Sequence, residues 1–301
     1  MDEALRDPRG GASGLGVWLR GARPRTLVAS ICPVLVGTAV AASDGRLVPW
    51  RALAALVVSV AIQVGVNYAN DYSDGVRGTD TPARVGPVRL VASGLASPSR
   101  VKLAAALAFA VAGLAGLALA LAVDPRLLLV GVICVAAAVL YTGGPRPYGY
   151  AGFGELAVLV FFGLVATTGT AYVQTERLEG LALAASVPVG LGAVAILLAN
   201  NIRDLDGDRA AGKRTLVVRL GRPRSRSLYL VTVVTMFVVV ALIGIARPTA
   251  LAALAAVPLA VAPVRLVRHR QDGPGLVAAL AGTARLQLAV CALLAIGLWL
   301  S

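Results

Sequence analysis

Long apolar runs alternate with short polar or basic segments along most of this chain. The runs lie near 25–42, 50–70, 101–122, 126–142, 154–173, 180–202, 227–246, 248–266 and 281–300. A helix of about 20 apolar residues crosses the hydrocarbon core of a bilayer, so the pattern predicts nine transmembrane helices. Runs of this length exceed barrel strands, and helices are the other way to satisfy the backbone in lipid. The run at 126–142 is short, and Pro248 and Pro263 predict a kink or an early stop in the eighth helix. The expected fold class is an all-α polytopic membrane protein. A polar, cytoplasmic N-terminal segment over 1–22 would precede a single domain over 23–301.

Composition agrees with the pattern. Of the 301 residues, 58% are hydrophobic and 14% charged, and the mean hydropathy of +0.81 excludes an ordinary soluble core. Residues 1–22 contain no apolar stretch of the kind a signal peptide needs, so none is expected. Cys32, Cys134 and Cys291 sit in separate apolar runs without metal-ligand spacing and read as reduced packing residues. A net charge of +13 would point to nucleic acid in a soluble protein. Here 22 of the 28 Lys and Arg fall in the N-terminus and the loops 71–102, 143–153, 203–226 and 265–280. Only Arg46, Arg51, Arg126, Arg177 and Arg247 lie in the opposite loops. The positive-inside rule therefore places the N-terminus and these basic loops in the cytoplasm and the C-terminus outside, as nine spans require. Charge spread over five loops argues against nucleic-acid binding.

Two acidic clusters interrupt this pattern. The first runs from Asn67 through Asn70, Asp71 and Asp74 to Asp80; the second from Asn200 through Arg203, Asp204 and Asp206 to Asp208. Carboxylates near hydrocarbon cost about 2.5–3.5 kcal/mol each at a helix centre, so their convergence there points to a cation. Oxygen-rich sites suit Mg²⁺, which shares its shell with substrate phosphates. On a helix Asn67, Asp71 and Asp74 are spaced i, i+4, i+7, and Asn200, Asp204 and Asp208 i, i+4, i+8, one face each. Two such stripes, 133 residues apart from Asp71 to Asp204, form a weak internal echo and could hold metal between them. The bland alternative, solvated helix ends, needs neither a shared face nor a repeat. Arg77, Arg84 and Arg89 follow the first cluster, and Arg209, Lys213 and Arg214 the second. Such Arg and Lys groups bind phosphate, and with metal-bound carboxylates they suit a leaving diphosphate. A third segment, from Tyr141 through Pro145, Arg146, Tyr148 and Tyr150 to Glu155, is a Gly/Pro-rich turn. Glu155 reads equally as an acid or base for a second substrate or as a helix N-terminal charge. Arg285, inside the last run, reads as snorkelling, paired with an acid or facing substrate.

Four stretches carry a family resemblance: Ala22–Leu27, Asn70–Asp80, Tyr141–Glu155 and Asn200–Leu216. The chain resembles the UbiA superfamily of intramembrane prenyltransferases and, within it, the 1,4-dihydroxy-2-naphthoate prenyltransferases of menaquinone synthesis. The resemblance implies nine helices around a central cavity, a cytoplasmic active site and two Mg²⁺-binding motifs. It carries Asn67, Asp71 and Asp74 over as the first motif, and Asp204 and Asp208 as the second. Where many members continue the first motif with an acid, this chain has Gly78, which leaves Asp80 as the next acid for that role. Many also carry a Lys after the tyrosine that ends the fourth helix; here Arg146 stands nearby.

The expected activity is Mg²⁺-dependent transfer of a polyprenyl chain from its diphosphate to 1,4-dihydroxy-2-naphthoate with loss of CO₂, giving demethylmenaquinone. Asp71, Asp74, Asp204, Asp208 and Lys213 are the expected catalytic groups. Asn67, Asn70, Arg77, Asn200, Arg203, Arg214, Tyr141, Arg146 and Glu155 would bind substrate, and Asn67 and Asp80 would join the aspartates on the metal. Membrane lipids are the remaining partner. A sibling transferase with another aromatic or sugar-phosphate acceptor is the first alternative. A secondary transporter, whose intramembrane acids would bind Na⁺ or H⁺, is the second.

Overall fold

The computed structural model describes residues 14–79 and 88–301, and every described element is helical. Asp80 and Arg84, named above, lie outside the described residues, as do residues 1–13. In chain order the helices are α1 (Gly14–Ala22), α2 (Val28–Ser43), α3 (Pro49–Arg77), α4 (Pro98–Ala122), α5 (Leu127–Thr142) and α6 (Gly154–Thr175). They continue with α7 (Gly180–Ala210), α8 (Leu216–Ala246), α9 (Pro248–His269) and α10 (Gly273–Trp299). Seven of them, α3, α4 and α6–α10, are long and apolar enough to cross a membrane. The apolar helices α2 and α5 have 16 residues each, short of a comfortable span. The chain is a multi-pass membrane protein.

Sequence chemistry sets the ends of these helices. Pro occupies the first turn of α3 and α4, where its missing N–H costs nothing. Thr215 caps α8 by accepting from the Val218 amide, and Asp272 caps α10 by accepting from Gly275. Arg270 and that amide hold the Asp272 carboxyl below the usual carboxylate range. Gly78, at φ +68°, is the left-handed residue that stops α3. Gly78, where the family resemblance led to the expectation of an acid, is thus the helix terminator.

The structure departs from the apolar runs in informative ways. Helices α3 and α7 continue well past their apolar stretches, so Asn67–Asp74 and Asn200–Asp208 sit on regular helix rather than in loops. Residues 14–22 form an amphipathic helix, anchored where the Tyr68 hydroxyl donates to the Trp18 carbonyl at 2.8 Å. The α8 helix starts at Leu216, before its apolar run, and kinks at Gly221 (φ 73°). Pro248 opens a 3₁₀ stretch to Ala256 before α9 becomes regular, and Pro263 is accommodated inside it.

The main core joins buried residues of α2, α6, α7, α8, α9 and α10. Helix α7 is the most enclosed, with 67% of its apolar stretch buried. Ala and Gly recur among its buried residues, and such small residues let helix axes approach closely. At the α6–α7 crossing Gly163 faces Gly190, and a Cβ on Gly163 would come within 2.7 Å of the Gly190 Cα. Around that contact α6 widens to π-type hydrogen bonding over Leu159–Val165. Smaller clusters join α2, α3, α4 and α6 through Val34, Ala55, Leu119 and Val173, and α1, α3 and α4 around Tyr68 and Leu90. These contacts fix the C-terminal ends of α3, α5 and α7 at one end of the molecule.

Candidate active site

Acids at a helix C-terminus oppose the helix dipole, at about 0.3–1 kcal/mol for each exposed group. Both α3 and α7 carry them there, so local helix energetics alone disfavours the arrangement. Compensation comes from across the bundle. The Lys213 ammonium lies 3.4 Å from Asp74 Oδ1 on one side and 3.5 Å from Asp208 Oδ1 on the other. One cation therefore touches carboxylates of both stripes. Asp74 is 3% exposed, and its carboxylate also accepts from the hydroxyls of Tyr150 and Thr79. Arg89 stands 3.5 Å from its other oxygen.

The Gly/Pro-rich segment after α5 forms a wall of this site. Arg77 donates to the carbonyls of Thr142 and Gly144, and Thr142 donates to Asn70 Oδ1 at 2.7 Å, so α3 grips the end of α5. The Arg214 amide donates to the Tyr150 carbonyl at 2.8 Å, tying the segment to the loop after α7. The Tyr150 ring lies between cations, with Lys213 4.6 Å and Arg77 5.7 Å from its centroid. Burial first, and the Asp74 charge second, push the Tyr150 phenol up, so it remains a proton donor at neutral pH. Burial likewise pushes Tyr148 up to about 12, and its ring meets Tyr141 edge-on at 5.5 Å.

Other expected residues take different partners. Asn67 donates to the Ala22 carbonyl at 2.8 Å and to Thr26 Oγ1 at 3.2 Å, which ties α3 to the start of the chain rather than to the carboxylates. Asp71 is fully buried, and its oxygens accept the amides of Leu90 (2.8 Å) and Val91 (3.0 Å). Asp204 forms a bidentate pair with Arg203 at 2.7 and 2.8 Å, and Arg203 also donates to Asn200. Glu155 is buried and accepts from Asn201 Nδ2 at 3.0 Å. Arg146, Arg214 and Arg285 are exposed. Among the described residues no group of three or more His, Cys, Asp or Glu converges on one point. The carboxylates meet as the Asp74–Asp208 pair, with Lys213 between them.

The sequence reading did not select Tyr150, Thr142 or Thr79. Only Tyr150 carried a signal, as an aromatic hydroxyl in a Gly-rich turn beside two other tyrosines. Asp74 and Asp208 thus face one common cation, the Lys213 ammonium. Two cavities lie against α3. One of about 460 Å³ lies between α1, α3 and α4, and one of about 410 Å³ is lined by Tyr72, Arg77, Lys102 and Gly144.

The pattern of the UbiA prenyltransferase family matches residues 30–286. A 1,4-dihydroxy-2-naphthoate octaprenyltransferase of Mycobacterium tuberculosis is 51% identical over 88% of this chain and 91% of its own length. The protein of that name from Escherichia coli is 36% identical over 94% of this chain and 95% of its own. Among solved structures, a UbiA homolog from Archaeoglobus fulgidus bound to GPP and Mg²⁺ superposes with a TM-score of 0.64 at 13% identity, covering 92% of this chain and 99% of that one. A homolog from Aeropyrum pernix superposes equally well, at 17% identity over 90% of this chain and 95% of that one. The opposed acidic helices and these likenesses lead to one conclusion: the chain belongs to the UbiA prenyltransferase family.

Proposed function

We propose that the protein transfers a polyprenyl chain from polyprenyl diphosphate to 1,4-dihydroxy-2-naphthoate, with loss of CO₂, to give demethylmenaquinol, the reduced form of demethylmenaquinone, for menaquinone biosynthesis. The supporting observation is the Lys213 ammonium held between Asp74 and Asp208, a cation position shared by both motifs. The acceptor comes from the names of the mycobacterial and enterobacterial relatives. We place the protein in the cytoplasmic membrane as nine helices around a central cavity, with α2 and α5 as its two shorter spans. The N-terminus and the site face the cytoplasm and the C-terminus faces out, following the distribution of basic residues.

The donor set suits Mg²⁺, the ion named with the Archaeoglobus structure. Asp74 and Asp208 would hold it, with Asp204 and the side-chain oxygens of Asn70 and Asn200 in reserve; Asp71 and Asn67, also expected on the metal from the sequence, are engaged by other protein groups, and Asp80 lies outside the described residues. Bound there, Mg²⁺ would neutralise charge on the departing diphosphate. The chain's own groups do the rest. Lys213 and Arg89, beside Asp74, would bind phosphate oxygens, with Arg77 and Arg214 nearby. The allylic C–O bond breaks, and the diphosphate leaves with the electron pair. Apolar helix walls exclude water, which would quench the allylic cation. The electron-rich ring forms the new C–C bond, and CO₂ leaves with its bonding pair returned to the ring. Glu155, held by Asn201, would orient the acceptor.

The test is a radiolabelled prenyl-transfer assay with purified protein in lipid, offering 1,4-dihydroxy-2-naphthoate, 4-hydroxybenzoate and a glyceryl phosphate in parallel. The expected result is a prenylated product with the naphthoate alone and release of its carboxyl carbon as CO₂. Transfer only to another acceptor, or no diphosphate release, overturns the assignment.

A further inference from the structure

Asp71 belongs to the first acidic stripe by spacing, yet its carboxylate faces protein backbone. It is completely buried, and each oxygen accepts one amide, from Leu90 and from Val91. Among the described residues no Lys or Arg forms an ion pair with it. Two amides on one carboxylate are charge-assisted bonds, stronger than those between neutral groups. The held segment is gripped from other sides too. Leu90 is fully buried in the cluster around Tyr68. A Cβ on Gly75, one turn after Asp71, would lie 2.6 Å from the Val91 Cβ, and one on Gly21 would lie 2.6 Å from Leu90 Cδ1. Immediately before the gripped pair comes Arg89, whose guanidinium reaches Asp74 at 3.5 Å.

Resting on the prenyl-transfer reading above, we infer that Asp71 is a positioning residue: it fastens the backbone at 90–91 so that Arg89 is delivered beside Asp74 to bind the substrate diphosphate. Asp71 acts through Arg89 and does not hold the metal. The two aspartates of the first stripe thus divide the work. Asp74 faces the shared cation position, and Asp71, three residues earlier, anchors the returning chain. An Asn at 71 keeps the shape but offers one acceptor where two amides need partners.

The experiment uses full-length protein in lipid and compares Asp71→Asn, Arg89→Ala, their double variant, Gly75→Ala and Asp74→Asn. Mn²⁺ binding in the presence of inorganic pyrophosphate is read by electron paramagnetic resonance, and prenyl transfer is read as KM and kcat. Expected for Asp71→Asn is a rise of about tenfold or more in KM for the prenyl diphosphate, with half-saturating Mn²⁺ within about twofold of wild type. Arg89→Ala gives the same signature, and the double variant is no worse than the worse single one, because both changes remove one interaction. Gly75→Ala pushes the same segment from the other side without altering a carboxylate and raises KM likewise. It keeps the test alive should Asp71→Asn misfold. Asp74→Asn, by contrast, weakens Mn²⁺ binding. The inference falls if Asp71→Asn weakens Mn²⁺ binding about as much as Asp74→Asn, or if the Asp71 and Arg89 effects multiply. Failure of wild-type protein to transfer a prenyl group would instead overturn the functional reading and leave the Mn²⁺ comparison to judge Asp71.

Discussion

Tyr150 shows what spacing along a sequence reveals and what it hides. The stripes Asn67–Asp71–Asp74 and Asn200–Asp204–Asp208 are legible because helical periodicity alone aligns them. Their partners are not legible. Asp74 is met by Tyr150 and Lys213, 76 and 139 residues further on, and Asp71 by backbone 19 and 20 residues away. No local rule ranks such pairings. Gly78 was legible only as a missing acid, and its positive φ explains why it ends the helix. The Tyr150 hydroxyl donates to a buried carboxylate, and a hydrogen bond to a charged group contributes about 1.5–3 kcal/mol. Tyr150→Phe is therefore expected to lower kcat/KM for prenyl transfer by about tenfold or more, measured in lipid with saturating acceptor. A value equal to wild type would place Tyr150 outside the working site.

Elements were read more securely than residues. The apolar runs located all the long helices, because hydrocarbon-length stretches have few other structures available. Their ends were misjudged wherever polar sequence stays helical, as in the last turns of α3 and α7 and the first of α8. Crossing contacts were invisible beforehand, since a glycine's value at Gly163 lies in Gly190 on another helix. Gly163→Val would force α6 and α7 apart, at about 1–3 kcal/mol for such overpacking. Its thermal midpoint in detergent should fall below that of Gly169→Val, where a Cβ meets nothing within 4 Å. Equal midpoints would remove the crossing from the account. The α10 cap carries a pH signature. Arg270 and the Gly275 amide depress the Asp272 carboxyl, so its stabilisation is present above the unfolded value of about 3.9 and is lost as pH falls through the folded one. The midpoint difference between wild type and Asp272→Ala should be full at neutral pH and close in acid below that value. A difference that widens in acid would reverse the assigned sign.

At the scale of the whole molecule, charge and fold agree on one end as the working end. The segments 71–102, 143–153 and 203–226, which carry half of the 28 Lys and Arg, adjoin the C-terminal ends of α3, α5 and α7. The opposite end is tied by Arg51 to Glu176 and the Val173 carbonyl, away from either acidic stripe. With Cys32, Cys134 and Cys291 replaced by Ala, a cysteine at Arg146 should resist a membrane-impermeant thiol reagent in intact cells. One at Ser301 should react, and the opposite pattern would invert the topology. The most direct test concerns the shared cation position. Prenyl transfer by Asp74→Asn and by Asp208→Asn, each in lipid across a Mg²⁺ titration, should fall by at least about 100-fold, the scale of losing one stabiliser of transition-state charge. Near-normal transfer by both variants, with unchanged Mg²⁺ dependence, would contradict the claim that α3 and α7 jointly grip the diphosphate's metal.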